Sequence, residues 1–156
     1  KCQTCSGIFY LKMFMKTTLP IEIFPIEEDG YHLKIIITIN GKAANLILDT
    51  GASRTVFDEA RIAKFVAQEN IEVNDRLSAG LGTNSMESKQ VLLDEIQIGE
   101  ITILNYNAAV LDLTHVNQSY EKLELKPIDG VLGGDILVDY KAVIDYEKAV
   151  IIMTRD

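Results

Sequence analysis

One eight-residue run, Leu46-Ile47-Leu48-Asp49-Thr50-Gly51-Ala52-Ser53, constrains this chain more than any other feature. An apolar strand delivers a single carboxylate and then breaks into small residues that must turn sharply. An ionised Asp at the end of a buried strand is costly unless a partner or a reaction occupies it. Thr50 and Ser53 offer hydroxyls and Gly51 a backbone free of Cβ. The run therefore reads as a turn that holds a carboxylate by hydrogen bonds at the floor of a cleft. A strand-ending Asp that merely caps a turn is the plainer alternative.

A second run, Ile128-Asp129-Gly130-Val131-Leu132-Gly133-Gly134-Asp135-Ile136-Leu137, repeats the rhythm of apolar pair, Gly and short apolar turn. Together the two resemble the aspartic peptidases. The signature of that family is an apolar run followed by Asp-Thr/Ser-Gly and a small residue, and a later apolar-apolar-Gly segment crosses each Asp loop in a ψ shape. The resemblance makes Val131-Leu132-Gly133 the crossing segment and Asp135-Ile136-Leu137-Val138 a short helix packed beneath it. Gly133 and Gly134 then have a mechanical reason, since two chains crossing closely leave no room for Cβ atoms.

Size selects a branch of that family. Pepsin-like chains carry two Asp loops on about twice this length, whereas these 156 residues carry one. Asp129-Gly130 lacks the intervening hydroxyl residue and is not a second copy. The chemistry requires two carboxylates sharing a proton, so a single copy suffices only if Asp49 meets Asp49 across a two-fold axis. The resemblance is thus to the retropepsin-like, single-domain, homodimeric branch. It implies a mostly β fold, a closed β-barrel with one or two short helices. It also implies Asp49 as the catalytic residue of a peptide-hydrolysing enzyme that uses no metal and no cofactor. Thr50 and Gly51 would support the loop, with Thr50 bracing its twin across the axis. Gly51, Ala52 and Ser53 would meet the peptide, Gly51 through a main-chain acceptor. Ser53 stands where viral members often carry an acidic residue that anchors an arginine, and Gly134-Asp135 where they have a different polar pair, so that inter-subunit bridge does not carry over.

Small, polar and Gly-rich, Leu77 to Ser88 falls where such enzymes place the flap, a hairpin that closes over bound peptide and excludes water. Gly80, Leu81, Gly82 and Thr83 are its candidate peptide contacts and Met86 an adaptable apolar one. A plain surface loop is the alternative. Gly80-x-Gly82 is no phosphate cradle, because no helix clearly follows it.

The remaining pattern is β-rich from Ile21 onward. Ile21 to Ile23 and Leu33 to Ile39 read as strands, and Asn40-Gly41 as a hairpin turn whose return strand, Ala44 to Leu48, aims Asp49 into the cleft. Thr55 to Phe57 reads as a short strand. Asp58 to Ala67 reads as a helix capped by Asp58, with Ile62, Phe65 and Val66 on its apolar face. Val91 to Ile98 and Ile101 to Leu111 alternate as strands, Thr114 to Tyr120 reads as a loop, and Ala142 to Met153 as a terminal hairpin turning at Glu147-Lys148. Asp145 belongs to that turn. His32 and His115 have no partner at metal-ligand or triad spacing and read as surface histidines.

A hydrophobic content of 47% is enough to build one core, so a single domain over 21–156 is expected behind an N-terminal tail, 1–20. A net charge of −8 argues against nucleic acid or anionic membrane surfaces as partners. No apolar stretch is long enough to span a bilayer. Cys2 and Cys5 cannot complete a tetrahedral zinc site by themselves, which leaves sharing between chains or a labile disulfide as alternatives to an accessory tail. With no signal peptide or disulfide framework visible, a cytoplasmic location is expected, although a chain beginning at Lys1 is also compatible with a domain released from a longer protein. The partners expected are a peptide or protein substrate and a second copy. A catalytically silent module that keeps the fold and binds peptides is the rival reading. An intact Asp49-Thr50-Gly51 speaks against it, because a binding module has little reason to keep a costly carboxylate there.

Overall fold

Strict alternation along one strand sets the architecture: Leu33, Ile35, Ile37 and Ile39 point into the core, while Ile36 between them faces solvent. The computed structural model describes residues 14–74 and 88–156. In chain order these form β1 (Met15–Pro20), β2 (Glu22–Ile26), β3 (Gly30–Ile39), β4 (Lys42–Leu48), β5 (Val56–Asp58), β6 (Ile71–Asn74), β7 (Ser88–Ile98) and β8 (Ile101–Leu111). Helix α1 (Thr114–Lys122), β9 (Gly130–Leu132), α2 (Gly134–Asp139), β10 (Val143–Asp145) and β11 (Val150–Arg155) complete the order. The flap candidates Gly80, Leu81, Gly82, Thr83 and Met86, and the Cys2/Cys5 pair, lie outside the described residues.

Six strands, β3-β4-β9-β5-β8-β7, close into a barrel where β7 returns to β3 through Thr38↔Gln97 and Ile39↔Ile96. Closure pairs the barrel strands on both sides, and β2 and β6 extend the sheet beyond it from β3 and β7. Pairing is antiparallel except for β4–β9 and β5–β8. The interior is filled by Ile35, Leu46, Phe57, Leu93, Ile98 and Leu132 among others. A second sheet, β1-β11-β10, packs against it. Its β1 pairs with β11 from Met15↔Arg155 to Pro20↔Val150, so the sheet starts at Met15, six residues before the expected boundary.

The β3–β4 hairpin turns on Asn40 (φ 47°) and Gly41 (φ 80°), both in the left-handed region that a two-residue type I′ turn demands. Asn40 also ties the hairpin to its surroundings. Its Nδ2 donates to the Phe65 carbonyl at 3.0 Å and its Oδ1 accepts from the Glu95 N–H at 3.0 Å. The terminal hairpin forms as expected, with Asp145 Oδ1 accepting from the Lys148 N–H in its turn.

Two elements differ from the sequence reading. Asp58 to Ala67 is not an α-helix. It contains a 3-10 turn at Ile62–Lys64, followed by another at Gln68–Asn70. Asp58 is the last residue of β5 and no helix cap. Its N–H donates to the Asp129 carbonyl, and its buried carboxylate accepts from the Leu113 N–H at 3.0 Å and Asn117 Nδ2 at 3.2 Å. Pairing within the barrel thus overrides a local helical pattern, although Ile62 and Phe65 still enter the core. Conversely, Thr114 to Tyr120 is helical, within α1. Its polar sequence offers little apolar periodicity. Asp112 accepts from the Thr114 N–H and hydroxyl at its start, and Tyr120 supplies the buried anchor. Among the described residues, no helix is long and apolar enough to cross a membrane.

Candidate active site

The apolar end of β4 leads directly into the Asp49 loop. Parallel pairing of Leu46, Ile47 and Leu48 with Gly130, Val131 and Leu132 places β9 between β4 and β5, and the Asp49 N–H donates to the Leu132 carbonyl at 3.1 Å. This is the crossing that the two motifs announced. It is tight enough to exclude side chains. A Cβ at Gly133 would stand 2.5 Å from the Arg54 backbone, and one at Gly130 2.4 Å from the Val56 carbonyl oxygen. Gly134 has more room, at 3.3 Å from the Ala52 oxygen.

Asp49 Oδ1 accepts from the Gly51 N–H at 2.8 Å, and the Asp49 carbonyl accepts from the Ala52 N–H at 3.2 Å. Of the groups expected to hold the carboxylate, Gly51 does so. The Thr50 and Ser53 hydroxyls make no hydrogen bond to it among the described residues. Asp49, Thr50, Gly51 and Ser53 are exposed in a single chain and Ala52 is half-buried. The carboxylate is therefore oriented from one side and open on the other.

Beneath the loop lies a brace that sequence reasoning did not assign to the site. Thr55 is fully buried. Its hydroxyl donates to Asp135 Oδ1 at 2.8 Å and accepts from the Gly133 N–H at 3.0 Å, so one side chain grips both crossing segments. The N–H groups of Thr55 and Ile136 also donate to Asp135 Oδ1, and the Tyr106 hydroxyl donates to Oδ2. Two backbone bonds, Gly134 N–H to the Ala52 carbonyl and Asp135 N–H to the Ser53 carbonyl, complete the clamp. The signal available in the sequence was a carboxylate in the first turn of a helix directly after Gly-Gly. Its partner Tyr106 comes from β8 and leaves no local trace.

Burial pushes the Asp135 carboxyl up, but the hydrogen bonds from Tyr106, Thr55 and the Ile136 N–H outweigh it and hold the group below the ordinary aspartate range. Burial, and then the bond to Asp135, raises the Tyr106 phenol, which stays a neutral donor. A carboxyl whose folded pKa lies below its unfolded one contributes stability that is complete above the unfolded value and lost as pH falls through the folded one. Melting temperature followed from pH 7 to pH 3 should therefore drop most steeply below about pH 4 in the native chain. The Asp135→Asn variant, less stable at neutral pH, should show a shallower drop; equal slopes would remove Asp135 from the acid response.

On its open side Asp49 faces a cavity of about 400 Å³ that also takes in Thr50, Ile47, Ile128 and Val131. Among the described residues no other carboxylate lines it. Among the described residues the buried carboxylates are Asp58 and Asp129, and both are engaged elsewhere. Asp58 holds the start of α1, and Asp129 accepts from Arg61 Nε at 2.7 Å, Lys64 Nζ at 3.2 Å and the Asn45 N–H at 2.9 Å. Asp129 is accordingly no second member of an acid pair. His32, read as an ordinary surface histidine, instead lines this cavity half-buried, with Nδ1 2.6 Å from the Tyr120 hydroxyl. His115 is exposed on α1. Among the described residues no group of three or more His, Cys, Asp or Glu side chains is arranged to hold a metal ion.

Comparison with known proteins agrees with this architecture. A retropepsin-like aspartic protease from Rickettsia conorii is similar in structure at a TM-score of 0.57 and 17% identity, over 92% of this chain and 93% of that one. The retroviral protease-like domain of Ddi1 from Leishmania major is similar at a TM-score of 0.50 and 16% identity, over 74% of this chain and 82% of that one. No curated protein matches the sequence. The family model described as aspartyl protease matches residues 35–136, which span the Asp49 loop, the brace and the crossing segment. With that match over most of its length and a closed β-barrel of the retropepsin-like kind, the chain belongs to the aspartyl protease family.

Proposed function

We propose that this chain is an aspartic endopeptidase that works as a homodimer, with Asp49 of each copy facing the other across a two-fold axis. One observation carries the reading: a single carboxylate, fixed on one oxygen by the Gly51 N–H, opens onto a cavity that no second carboxylate lines among the described residues. Two such groups brought together cannot both ionise cheaply, so the pair keeps one proton. The ionised member draws a proton from a bound water, which attacks the scissile carbonyl. The protonated member donates a hydrogen bond to the carbonyl oxygen as charge develops there. Thr50 of each copy braces the paired loops, Gly51 offers its carbonyl to the peptide backbone, and Ala52 and Ser53 contact the flanking residues. Gly80, Leu81, Gly82 and Thr83, outside the described residues, are the further proposed peptide contacts.

The test is cleavage of a peptide library from acidic to neutral pH, with molecular mass in solution recorded under each condition. Cleavage by a species of twice the chain mass is the expected result. Cleavage by a species that stays monomeric with substrate bound would sink the shared site, and a folded dimer that cleaves nothing would return the chain to the binding-module reading.

A further inference from the structure

The cavity beside Asp49 has apolar wall residues in Ile47, Ile128 and Val131, and apart from the Asp49 loop its polar groups are the exposed Tyr31 and Tyr146 and the His32–Tyr120 pair, the one of these fixed by a hydrogen bond among the described residues. The pair is held rigidly. His32 lies opposite Phe24 in the β2–β3 register, and Phe24 meets both rings edge-on, at centroid distances of 6.0 Å to His32 and 6.1 Å to Tyr120. Tyr120 projects from α1 and is only 4% exposed, and the partner of its hydroxyl among the described residues is His32 Nδ1.

That geometry favours one arrangement of the protons. Among the described residues the Tyr120 hydroxyl has one hydrogen bond, to His32 Nδ1 at 2.6 Å. If Nδ1 carried the hydrogen, the phenol would accept it and its own O–H would have no protein acceptor there. If the phenol donates, its O–H is satisfied, and an imidazole that accepts at Nδ1 carries its proton on Nε2. Burial, which pushes the Tyr120 phenol up to about 12, keeps it a donor. Nε2 has no protein partner among the described residues and, since no buried side-chain nitrogen or oxygen there lacks one, it keeps contact with solvent on a residue of the cavity wall.

We infer that His32 is a specificity-determining residue, whose Nε2–H donates to an acceptor at the tip of a substrate side chain in the apolar subsite beside Asp49. The inference rests on the peptidase reading for the identity of the ligand. The walls take an apolar stem and the donor takes its tip, so tyrosine or glutamine is favoured over phenylalanine or leucine at one position flanking the scissile bond. Tyrosine against phenylalanine isolates the hydrogen bond, because the two differ by the hydroxyl alone. A neutral hydrogen bond of this kind discriminates by about two- to tenfold.

The experiment compares paired peptides that differ only by Tyr or Phe at each flanking position, cleaved by the native chain and by His32→Phe. The native chain should favour Tyr at one position, and in His32→Phe that ratio should fall to about one at that position alone. A ratio unchanged in the variant, or a native chain with no Tyr preference anywhere, overturns the inference. Binding separates this outcome from failure of the peptidase reading. In 15N spectra of Asp49→Asn, the Tyr peptide should shift the His32 Nε2 resonance more than the Phe peptide does, whether or not the native chain cleaves either. Equal shifts from both peptides would overturn the assignment even for an active peptidase.

Discussion

Asp49→Asn should reduce peptide cleavage by on the order of 10²–10⁴-fold or more, with the fold intact. On the proposed mechanism the loss is large because the dyad would give up both its roles together: an amide neither draws a proton from water nor presents an acidic O–H to the carbonyl. The stability effect is small for a structural reason. Asp49 is exposed in the single chain and makes one side-chain hydrogen bond, to the Gly51 N–H, which an Asn Oδ1 can also accept. A change within about 0.5 kcal/mol is therefore expected in denaturant unfolding. Mixing provides the decisive arm. If every site needs a carboxylate from each copy, equal amounts of native and variant chain, allowed to exchange, should retain about a quarter of the activity. Retention of half would mean that each chain acts alone, and undiminished cleavage by the variant itself would remove Asp49 from the chemistry.

How far the sequence discloses this molecule depends on whether a signal is local. The Asn40-Gly41 turn, the strand alternation of β3 and the small residues after Asp49 each determine their own neighbourhood, and the structure places them as their chemistry demands. The stretch after β5 shows the opposite case. Ile62, Phe65 and Val66 have helical spacing, yet Asp58 is taken up by the barrel and by α1, and the stretch settles into 3-10 turns that still bury Ile62 and Phe65. Site residues divide the same way. Asp49, Thr50 and Gly51 are contiguous and legible. The brace draws Thr55, Tyr106 and Asp135 from three separate elements, and the His32–Tyr120 pair joins residues 88 positions apart. Only the closed barrel brings those groups together, so no spacing rule could have found them.

The crossing itself makes the second large prediction: Gly133→Ala should cost about 3 kcal/mol or more, at the upper end of what overpacking produces. Backbone conformation is not the reason. Gly133 has φ −105° and ψ −176°, extended values that any residue adopts. Space is the reason. The added methyl would lie 2.5 Å from the Arg54 carbonyl carbon and oxygen and 3.0 Å from the Ala52 oxygen, and backbone atoms cannot rotate away as a side chain can. Relief requires the two segments to separate. That strains the Gly133 N–H bond to Thr55 and the Gly134 N–H bond to Ala52, and with them the loop that carries Asp49. A cost of this size lowers the melting temperature by roughly 6–12 °C in a domain of this length. Gly41→Ala is the control, since its methyl would meet nothing within 4 Å and only the φ of 80° opposes it. It should cost roughly 1 kcal/mol. Gly134→Ala, with 3.3 Å of clearance, belongs below Gly133→Ala. Thermal unfolding of the three variants checks the order; a Gly133→Ala chain as stable as Gly41→Ala would mean that the segments have room to part, and the loop would then lack the rigidity that holds Asp49 in register.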